Sequence, residues 1–112
     1  MNQKYEQQMK KGVFEMLVLK LLKKEEKYGY QLISELKSES DGLFLLKEGT
    51  LYPILYRLED DGLVISRWSQ PRGKEGARKY YEITDMGRQV LDEMTELWKG
   101  FSGTVTSMMK VR

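Results

Sequence analysis

Residues 48–64 read EGTLYPILYRLEDDGLV and have the pattern of a single amphipathic helix with a defined end. Their aliphatic side chains recur at helical spacing and predict one buried face, which consists of Leu51, Ile54, Leu55 and Leu58. We expect the helix to begin near Gly49 or Thr50, with Pro53 in its first turn, where a missing N–H costs little. Gly62 is expected to end it, because glycine readily adopts the left-handed conformation found after a helix C-terminus.

Two further helices are predicted before this one. Residues 3–26 contain one glycine and no proline, and their apolar side chains occupy two sides of a helix, so this helix needs a second cover besides its own domain. Residues 31–39 are expected to form a shorter helix, which the turn residues 40–42 end. The apolar run of residues 43–46 is expected to be a brief extended segment.

A hairpin and a long helix are predicted after it. Strand-like residues 63–69 and 77–83 flank a segment with two glycines, a proline and several charges, which is typical of a hairpin with a long tip. Thr84 or Asp85 would cap a final helix that extends toward Lys110. The apolar side chains of that helix form a one-sided stripe, which consists of Val90, Met94, Leu97, Trp98, Phe101, Val105, Met108 and Met109.

This order of elements is that of a winged helix-turn-helix. We therefore predict a mainly α (α+β) fold, a winged helix-turn-helix with a long C-terminal dimerisation helix. Residues 1–84 would form the DNA-binding domain, with the first helix also in the dimer interface. Residues 85–112 would form the dimerisation helix, as part of the same compact unit. Because both outer helices carry surplus apolar surface, we expect a homodimer.

The composition argues against several classes of function. The 112 residues include no cysteine and no histidine, which excludes disulfides, thiol nucleophiles, zinc ribbons and Ser–His–Asp triads. The acidic residues 59–61 would be candidates for paired catalytic carboxylates, but consecutive side chains at a helix end point apart. We therefore expect neither an enzyme nor a metal or cofactor site. No apolar run approaches ~20 residues and no signal peptide is evident, so a cytoplasmic protein without membrane contact is expected.

Basic charge is concentrated at the predicted hairpin, although the whole chain has a net charge of only +2. Residues 67–81 contain five basic side chains and a single acidic one, Glu75. Long cationic side chains reach phosphates, and glycines permit close approach to a DNA backbone. Any exposed hairpin tip is usually polar, so the DNA interpretation depends on its combination with the helix-turn-helix.

The first turn of the helix in residues 48–62 is the second candidate contact with DNA. It offers free backbone N–H groups and a positive dipole end, both of which suit phosphate. Thr50 and Tyr52 would reach phosphates or base edges, and Tyr56 and Arg57 extend along the same helix. Thr50 is equally compatible with a role as the N-cap.

Trp98 and the methionines of the two outer helices allow two interpretations. In the first, they form the core of a dimer, with methionine as an adaptable filler. In the second, two symmetry-related Trp98 rings hold a flat aromatic ligand at the dimer centre. The sequence leaves both open.

Three stretches together resemble the PadR family of transcriptional regulators. Residues 48–64 resemble the recognition-helix signature of that family, and residues 28–32 (YGYQL) match the opening of its second helix. Residues 78–87 (RKYYEITDMG) are similar to its wing strand and the start of its dimerisation helix. The resemblance covers about residues 10–98, and the single C-terminal helix is similar to that of the short subfamily, which includes multidrug-binding repressors.

The resemblance implies a sequence-specific, homodimeric repressor that binds an inverted-repeat operator in double-stranded DNA and is released by a small aromatic or phenolic effector. The residues that we expect to contact DNA are Tyr30, Lys47, Thr50, Tyr52, Arg57, Arg72, Lys74, Arg78, Lys79 and Tyr80. Those expected in the dimer interface are Val13, Leu17, Val90, Met94, Leu97, Phe101 and Val105. The alternative is a dimeric winged-helix module that binds a protein partner and does not bind DNA.

The effector site is carried over from the drug-binding members position by position. It would comprise Met9, Gly12, Glu15, Met16, Thr95, Trp98 and Ser102. Those members carry an aromatic residue where Thr95 stands and an acid where Ser102 stands. The same ligand range therefore does not follow from the resemblance.

Overall fold

The computed structural model describes residues 3–110, and this part of the chain forms five helices and three strands. In chain order they are α1 (Gln3–Lys11), α2 (Phe14–Lys24), β1 (Lys27–Tyr28), α3 (Gly29–Glu39), α4 (Glu48–Asp60), β2 (Val64–Trp68), β3 (Lys79–Ile83) and α5 (Asp85–Met109). The helix-turn-helix, the β2–β3 hairpin and the long α5 confirm the predicted winged helix-turn-helix fold.

The prediction of one continuous first helix is wrong, because the chain breaks between α1 and α2. The break lies at Gly12 and Val13, and the Val13 N–H bonds to the Lys10 carbonyl at 3.1 Å. Glycine in a helix interior costs about 1 kcal/mol relative to alanine, which makes this position the weak point of the run. Directly after the break, the ring of Phe14 meets that of Phe44 edge to face, with centroids 5.8 Å apart.

The prediction of an extended segment at residues 43–46 is also wrong. The Leu43 N–H bonds to the Ser40 carbonyl and the Phe44 N–H to the Ser40 hydroxyl. These two backbone N–H groups are therefore bonded to the end of α3 and are not available to pair with a neighbouring strand. The third strand of the sheet, besides the two strands of the hairpin, is β1. It is antiparallel to β3 and places Lys27 opposite Tyr81. The sheet order is β1-β3-β2.

Helix α4 begins slightly earlier than expected. Lys47 is its N-cap residue and accepts the N–H groups of Thr50 and Leu51, so the interpretation of Thr50 as N-cap is wrong. Pro53 consequently lies in the second turn rather than the first. The predicted end is confirmed, because Gly62 has a φ of +76° and the Leu63 N–H bonds back to the Leu58 carbonyl at 2.9 Å.

The junction between the wing and α5 depends on two small residues. Thr84, one of the two predicted caps, is the N-cap of α5, since its hydroxyl accepts the Gly87 N–H at 3.0 Å and donates to the Gly62 carbonyl at 2.7 Å. A Cβ added to Gly87 would lie 2.1 Å from the Leu63 carbonyl oxygen. Only glycine therefore lets α5 start so close to the strand.

The core lies between the sheet and helices α2, α3 and α4. The predicted face of α4 is buried there, and Leu91 of α5 joins the same cluster. The distal part of α5 has no such cover within the described chain, since the Leu97 side chain is 72% exposed and that of Phe101 65%. None of the helices within residues 3–110 is both long and apolar enough to cross a membrane. The division at residue 84 stays a prediction.

Candidate nucleic-acid interface

The start of α4 presents an exposed polar surface. Lys47, Gly49 and Thr50 are all exposed, and so is Tyr30 at the start of α3. The first N–H groups of a helix have no acceptor within it, and the helix dipole makes this end positive. This surface is therefore suited to an anionic partner, whereas Asp60 at the other end of α4 is not.

Tyr52 ties this surface to α3 rather than projecting freely from it. A Cβ on Gly29 would lie 2.5 Å from the Tyr52 hydroxyl, so the ring packs tightly against the first residue of α3. Burial, followed by the Glu48 carboxylate and the nearby Tyr56, raises the pKa of the Tyr52 hydroxyl. The hydroxyl remains a proton donor at neutral pH.

The outer face of the sheet carries a row in which two arginines flank two tyrosines. The Arg78 guanidinium lies 4.5 Å from the centre of the Tyr28 ring, and that of Arg67 lies 5.0 Å from the centre of Tyr80. The two rings meet edge to face with their centroids 5.4 Å apart. We call Arg67, Tyr80, Tyr28 and Arg78 the arginine–tyrosine row. It holds two guanidinium groups of the wing on the outer face of the sheet.

Two members of this row, Arg67 and Tyr28, were absent from the predicted DNA contacts. Arg67 forms an ion pair with Glu26, and this hydrogen bond raises the pKa of the guanidinium. The strand register was the signal that would have found Arg67, because it lies opposite Tyr80 in the hairpin. Predicting Tyr28 would have required knowing that β1 forms, because β1 pairs Tyr28 with Tyr80 from a distant part of the sequence.

The tip of the wing is an exposed turn. Arg72 and Glu75 exchange two backbone hydrogen bonds of 3.1 and 2.8 Å, and Gly73 between them has a φ of +54°. Lys74 is exposed at the tip, and the Arg78 side chain is 44% exposed although it lies 3.9 Å from Glu75. A groove of about 410 Å³ runs beneath the tip and is lined by residues that include Arg72 and Arg78.

Lys79 and Arg57 are directed elsewhere. The Lys79 ammonium lies 5.6 Å from the centre of the Tyr56 ring, on the sheet face opposite to the arginine–tyrosine row. The Arg57 Nε donates to Glu15 Oε1 of α2 at 3.1 Å. The structure thus connects Tyr52, Arg78 and Tyr80 through Tyr28 and Gly29, and holds these two cations in contacts of their own.

The predicted effector and dimer residues lie on the helices outside this region. Met9 and Gly12 of the α1–α2 segment are exposed, and its other members are half-buried, namely Val13, Glu15, Met16 and Leu17. On α5 the Trp98 side chain is 44% exposed and stacks on Phe101 with a centroid distance of 6.3 Å. Val90 and Met94 pack against the core, while Leu97, Phe101 and Val105 are exposed.

The two polar effector candidates on α5 bond to their own helix. The Thr95 hydroxyl donates to the Leu91 carbonyl at 2.8 Å, and the Ser102 hydroxyl to the Lys99 carbonyl at 3.4 Å. Within residues 3–110, no group of three or more acidic side chains is placed to hold a metal ion.

Comparison with known proteins agrees with the fold. Residues 18–93 match the family model "Transcriptional regulator PadR-like family". A solved PadR family regulator from Eggerthella lenta superimposes with a TM-score of 0.82 at 34% identity, over 94% of this chain and 88% of that one.

A second relative is the negative transcriptional regulator PadR of Bacillus subtilis. It is 33% identical over 81 residues, which are 72% of this chain and 44% of the relative, so the chain spans less than half its length. The crystal structure of that protein in complex with operator DNA superimposes with a TM-score of 0.67 at 32% identity, over 74% of this chain and 46% of that one.

The family comprises transcriptional regulators, which supports the expectation of a protein that is not an enzyme. The matched region includes α3, α4, the wing and the first part of α5. This chain therefore belongs to the PadR-like family of transcriptional regulators.

Proposed function

We propose that this protein is a homodimeric transcriptional repressor that binds double-stranded DNA at an inverted repeat. The observation that carries the proposal is the junction at residues 28 and 29. Tyr28 stacks under Arg78 of the wing, and its neighbour Gly29 packs against Tyr52 of α4. These two contacts support one continuous surface from the first turns of α4 to the wing.

Each part of this surface has its own role on DNA. The N-terminal turns of α4 enter the major groove, where Lys47 and Tyr30 reach phosphates and Thr50 reaches phosphates or base edges. Arg72, Lys74 and Arg78 of the wing neutralise the backbone, with Tyr80 beside them in the row. The acidic C-terminal end of α4 points away, because phosphates would repel it.

The dimer is supported by apolar side chains that the single chain leaves exposed. They form one stripe on the distal part of α5 and include Leu97, Phe101, Val105 and Met108, with Met9 on α1. A twofold dimer buries the same surface of both chains and presents two copies of α4. Two copies of one reading helix match an inverted repeat.

Repression relieved by an aromatic effector is the finer part of the proposal. The Bacillus subtilis relative is a negative regulator, and its operator complex supports DNA as the partner here. Trp98 lies on the same stripe as the dimer residues, so a planar compound held there would bind at the dimer interface. Its binding would change the spacing of the two α4 helices.

Two measurements on the full chain test this proposal. Sedimentation equilibrium should show a dimer, and selection of bound duplexes from a random-sequence pool should enrich an inverted repeat. A monomer that enriches no sequence would contradict both parts. A dimer that retains no duplex in low salt would favour the alternative, a winged-helix module that binds only proteins.

A further inference from the structure

Three aromatic rings surround the ammonium group of Lys79. Its Nζ lies 5.6 Å from the centre of the Tyr56 ring, 6.0 Å from Trp68 and 5.5 Å from Tyr81. All three distances are within the range at which a cation is attracted to a ring face. We call Tyr56, Trp68 and Tyr81 the aromatic cage of Lys79.

The cage is assembled by the strand register and by one residue of α4. Lys79 is the partner of Trp68 across the hairpin, so their side chains share one face of the sheet. Tyr81 lies two residues farther along β3 and therefore on the same face. Tyr56 is contributed by α4 and closes the cage from the other side. The Lys79 side chain is half-buried, unlike that of Lys74 at the tip, which is exposed.

The cage links the wing to α4. A second contact between them is nearer the base of the hairpin, where the Ser66 hydroxyl donates to Glu59 Oε2 at 2.6 Å. Glu59 follows Tyr56 on α4 by one turn, and Lys79 is farther from the base of the hairpin than Ser66. The two contacts therefore lie at different distances along the wing, an arrangement suited to fixing its angle to α4.

We propose that Lys79 is a positioning residue, whose ammonium in the aromatic cage sets the angle between the wing and α4. This inference rests on the proposed DNA-binding function and assigns Lys79 a role other than a phosphate contact. Its ammonium lies among the three rings, on the sheet face opposite to the arginine–tyrosine row. Its loss misplaces the wing relative to α4 and so acts on sequence preference.

The binding test compares Lys79→Met, Lys79→Arg and the matched control Lys74→Met. Each full-length variant is titrated against the inverted repeat selected by the wild type and against a random duplex of equal length, at several salt concentrations. For Lys79→Met we expect the ratio of the two affinities to fall roughly three- to tenfold, the range for a partly desolvated cation–ring contact. Its random-duplex affinity and its salt slope should match the wild type. Lys79→Arg should restore the ratio, because a guanidinium also binds ring faces.

Lys74→Met should behave differently. It should lower the affinity for both duplexes equally and reduce the slope of log affinity against log salt by about one, as loss of a phosphate contact does. If Lys79→Met behaves like Lys74→Met, or if it binds both duplexes like the wild type, the proposal is wrong.

A second measurement needs no DNA and separates this inference from the proposed function. Ring currents should shift the ε-methylene proton resonance of Lys79 upfield of that of Lys74, and Tyr56→Leu should reduce the shift, whereas Tyr56→Phe should keep it. Equal resonances for the two lysines would overturn the cage even if DNA binds as proposed. If Lys79→Met does not fold, Tyr56→Leu replaces it in the binding test. Tyr56→Leu should then lower the ratio of the affinities for the inverted repeat and the random duplex, and an unchanged ratio would contradict the proposal.

Discussion

Arg57 of α4 and Glu15 of α2 form an ion pair, with the guanidinium Nε 3.1 Å from Glu15 Oε1. The pair joins the helix that we propose to read DNA to a position expected to line the effector site. Both side chains are more than one-third exposed, at 59% for Arg57 and 36% for Glu15, so water weakens their attraction. Its effect should therefore be seen in DNA binding more than in stability.

We predict that Glu15→Gln tightens binding to a random duplex about two- to fivefold at low salt, because it frees Arg57 to approach the DNA phosphates. The free energy of unfolding should change by less than about 1 kcal/mol. Fluorescence anisotropy of a labelled duplex measures the affinity. The matched control is Glu6→Gln, which removes the same charge from a pair with Lys10 on α1. An equal gain in both variants would show that only net charge matters.

Tyr81 provides a prediction about pH. Its hydroxyl is buried and makes no hydrogen bond within residues 3–110, and burial raises its pKa to about 12, with nearby Tyr56, Glu59 and Tyr52 adding to the shift. Because the folded pKa is above the unfolded one, this group contributes stability below pH 10 and loses it as the pH rises toward 12. The loss is about 2–3 kcal/mol.

Tyr81→Phe should remove that loss. At pH 8 the variant should be as stable as the wild type or more stable, since it deletes an unpaired buried hydroxyl. Between pH 10 and pH 12 its advantage over the wild type should grow, as measured by urea unfolding. Parallel pH curves for the two proteins would contradict the assigned burial of the hydroxyl.

The ion-pair cluster at Lys27 predicts an order of stabilities. Lys27 is only 2% exposed, and its Nζ lies 3.1 Å from Glu35 and 3.4 Å from Glu25. Burial alone would lower the Lys27 pKa, but hydrogen bonds and attraction to these carboxylates raise it overall. Glu35→Gln leaves the buried ammonium with one carboxylate, whereas Lys27→Met leaves two carboxylates that water can reach.

We therefore expect Glu35→Gln to lower the free energy of unfolding by about 1–3 kcal/mol and Lys27→Met by less. Glu25→Gln, at a 70% exposed position, is the control and should cost least. Urea unfolding at neutral pH measures all three. A larger loss of stability in Lys27→Met than in either glutamate variant would contradict this order.

The sequence was sufficient where the determinants are local. The buried face of α4, the stop at Gly62 and the cap at Thr84 each depend on residues within a few positions of one another, and all three are confirmed. The hairpin was also predictable, since glycine, proline and charges separate its two strands. Helical spacing likewise revealed the apolar stripe of α5.

Contacts between segments that are distant in the sequence could not be predicted from local patterns. Strand β1 has only two residues, too few for any periodicity, and it forms through pairing with β3 more than fifty residues later. The side on which Lys79 lies depends on the register of the hairpin and on Tyr56. The pair between Arg57 and Glu15 spans a separation of 42 residues. The break at Gly12 needed knowledge of what Phe14 packs against.

The variant Trp98→Ala distinguishes a ligand site at Trp98 from a closed dimer core. In the ligand case, Trp98→Ala leaves a folded dimer that binds DNA but no longer responds to planar aromatic compounds. We expect this case, because the ring is 44% exposed in the single chain and stacks on Phe101. In the core case, the same change would cost about 3–5 kcal/mol of stability.

The measurement is quenching of Trp98 fluorescence by planar cationic dyes and phenolic acids in a Trp68→Phe background. A Trp68→Phe/Trp98→Phe protein controls for dye absorbance. Loss of thermal stability in Trp98→Ala, together with no quenching by any compound, would leave Trp98 as dimer core.

In the proposed function, the wing and the first turn of α4 bind DNA through phosphate contacts. The most direct test is the affinity for a random duplex as a function of salt, for the wild type and for the double variant Lys74→Ala/Arg78→Ala. We predict a steep negative slope of log affinity against log salt for the wild type and a slope smaller by about two for the variant, since each lost phosphate contact contributes about 0.9. A wild-type affinity that does not change with salt, or a variant with the slope of the wild type, would contradict the proposed phosphate contacts.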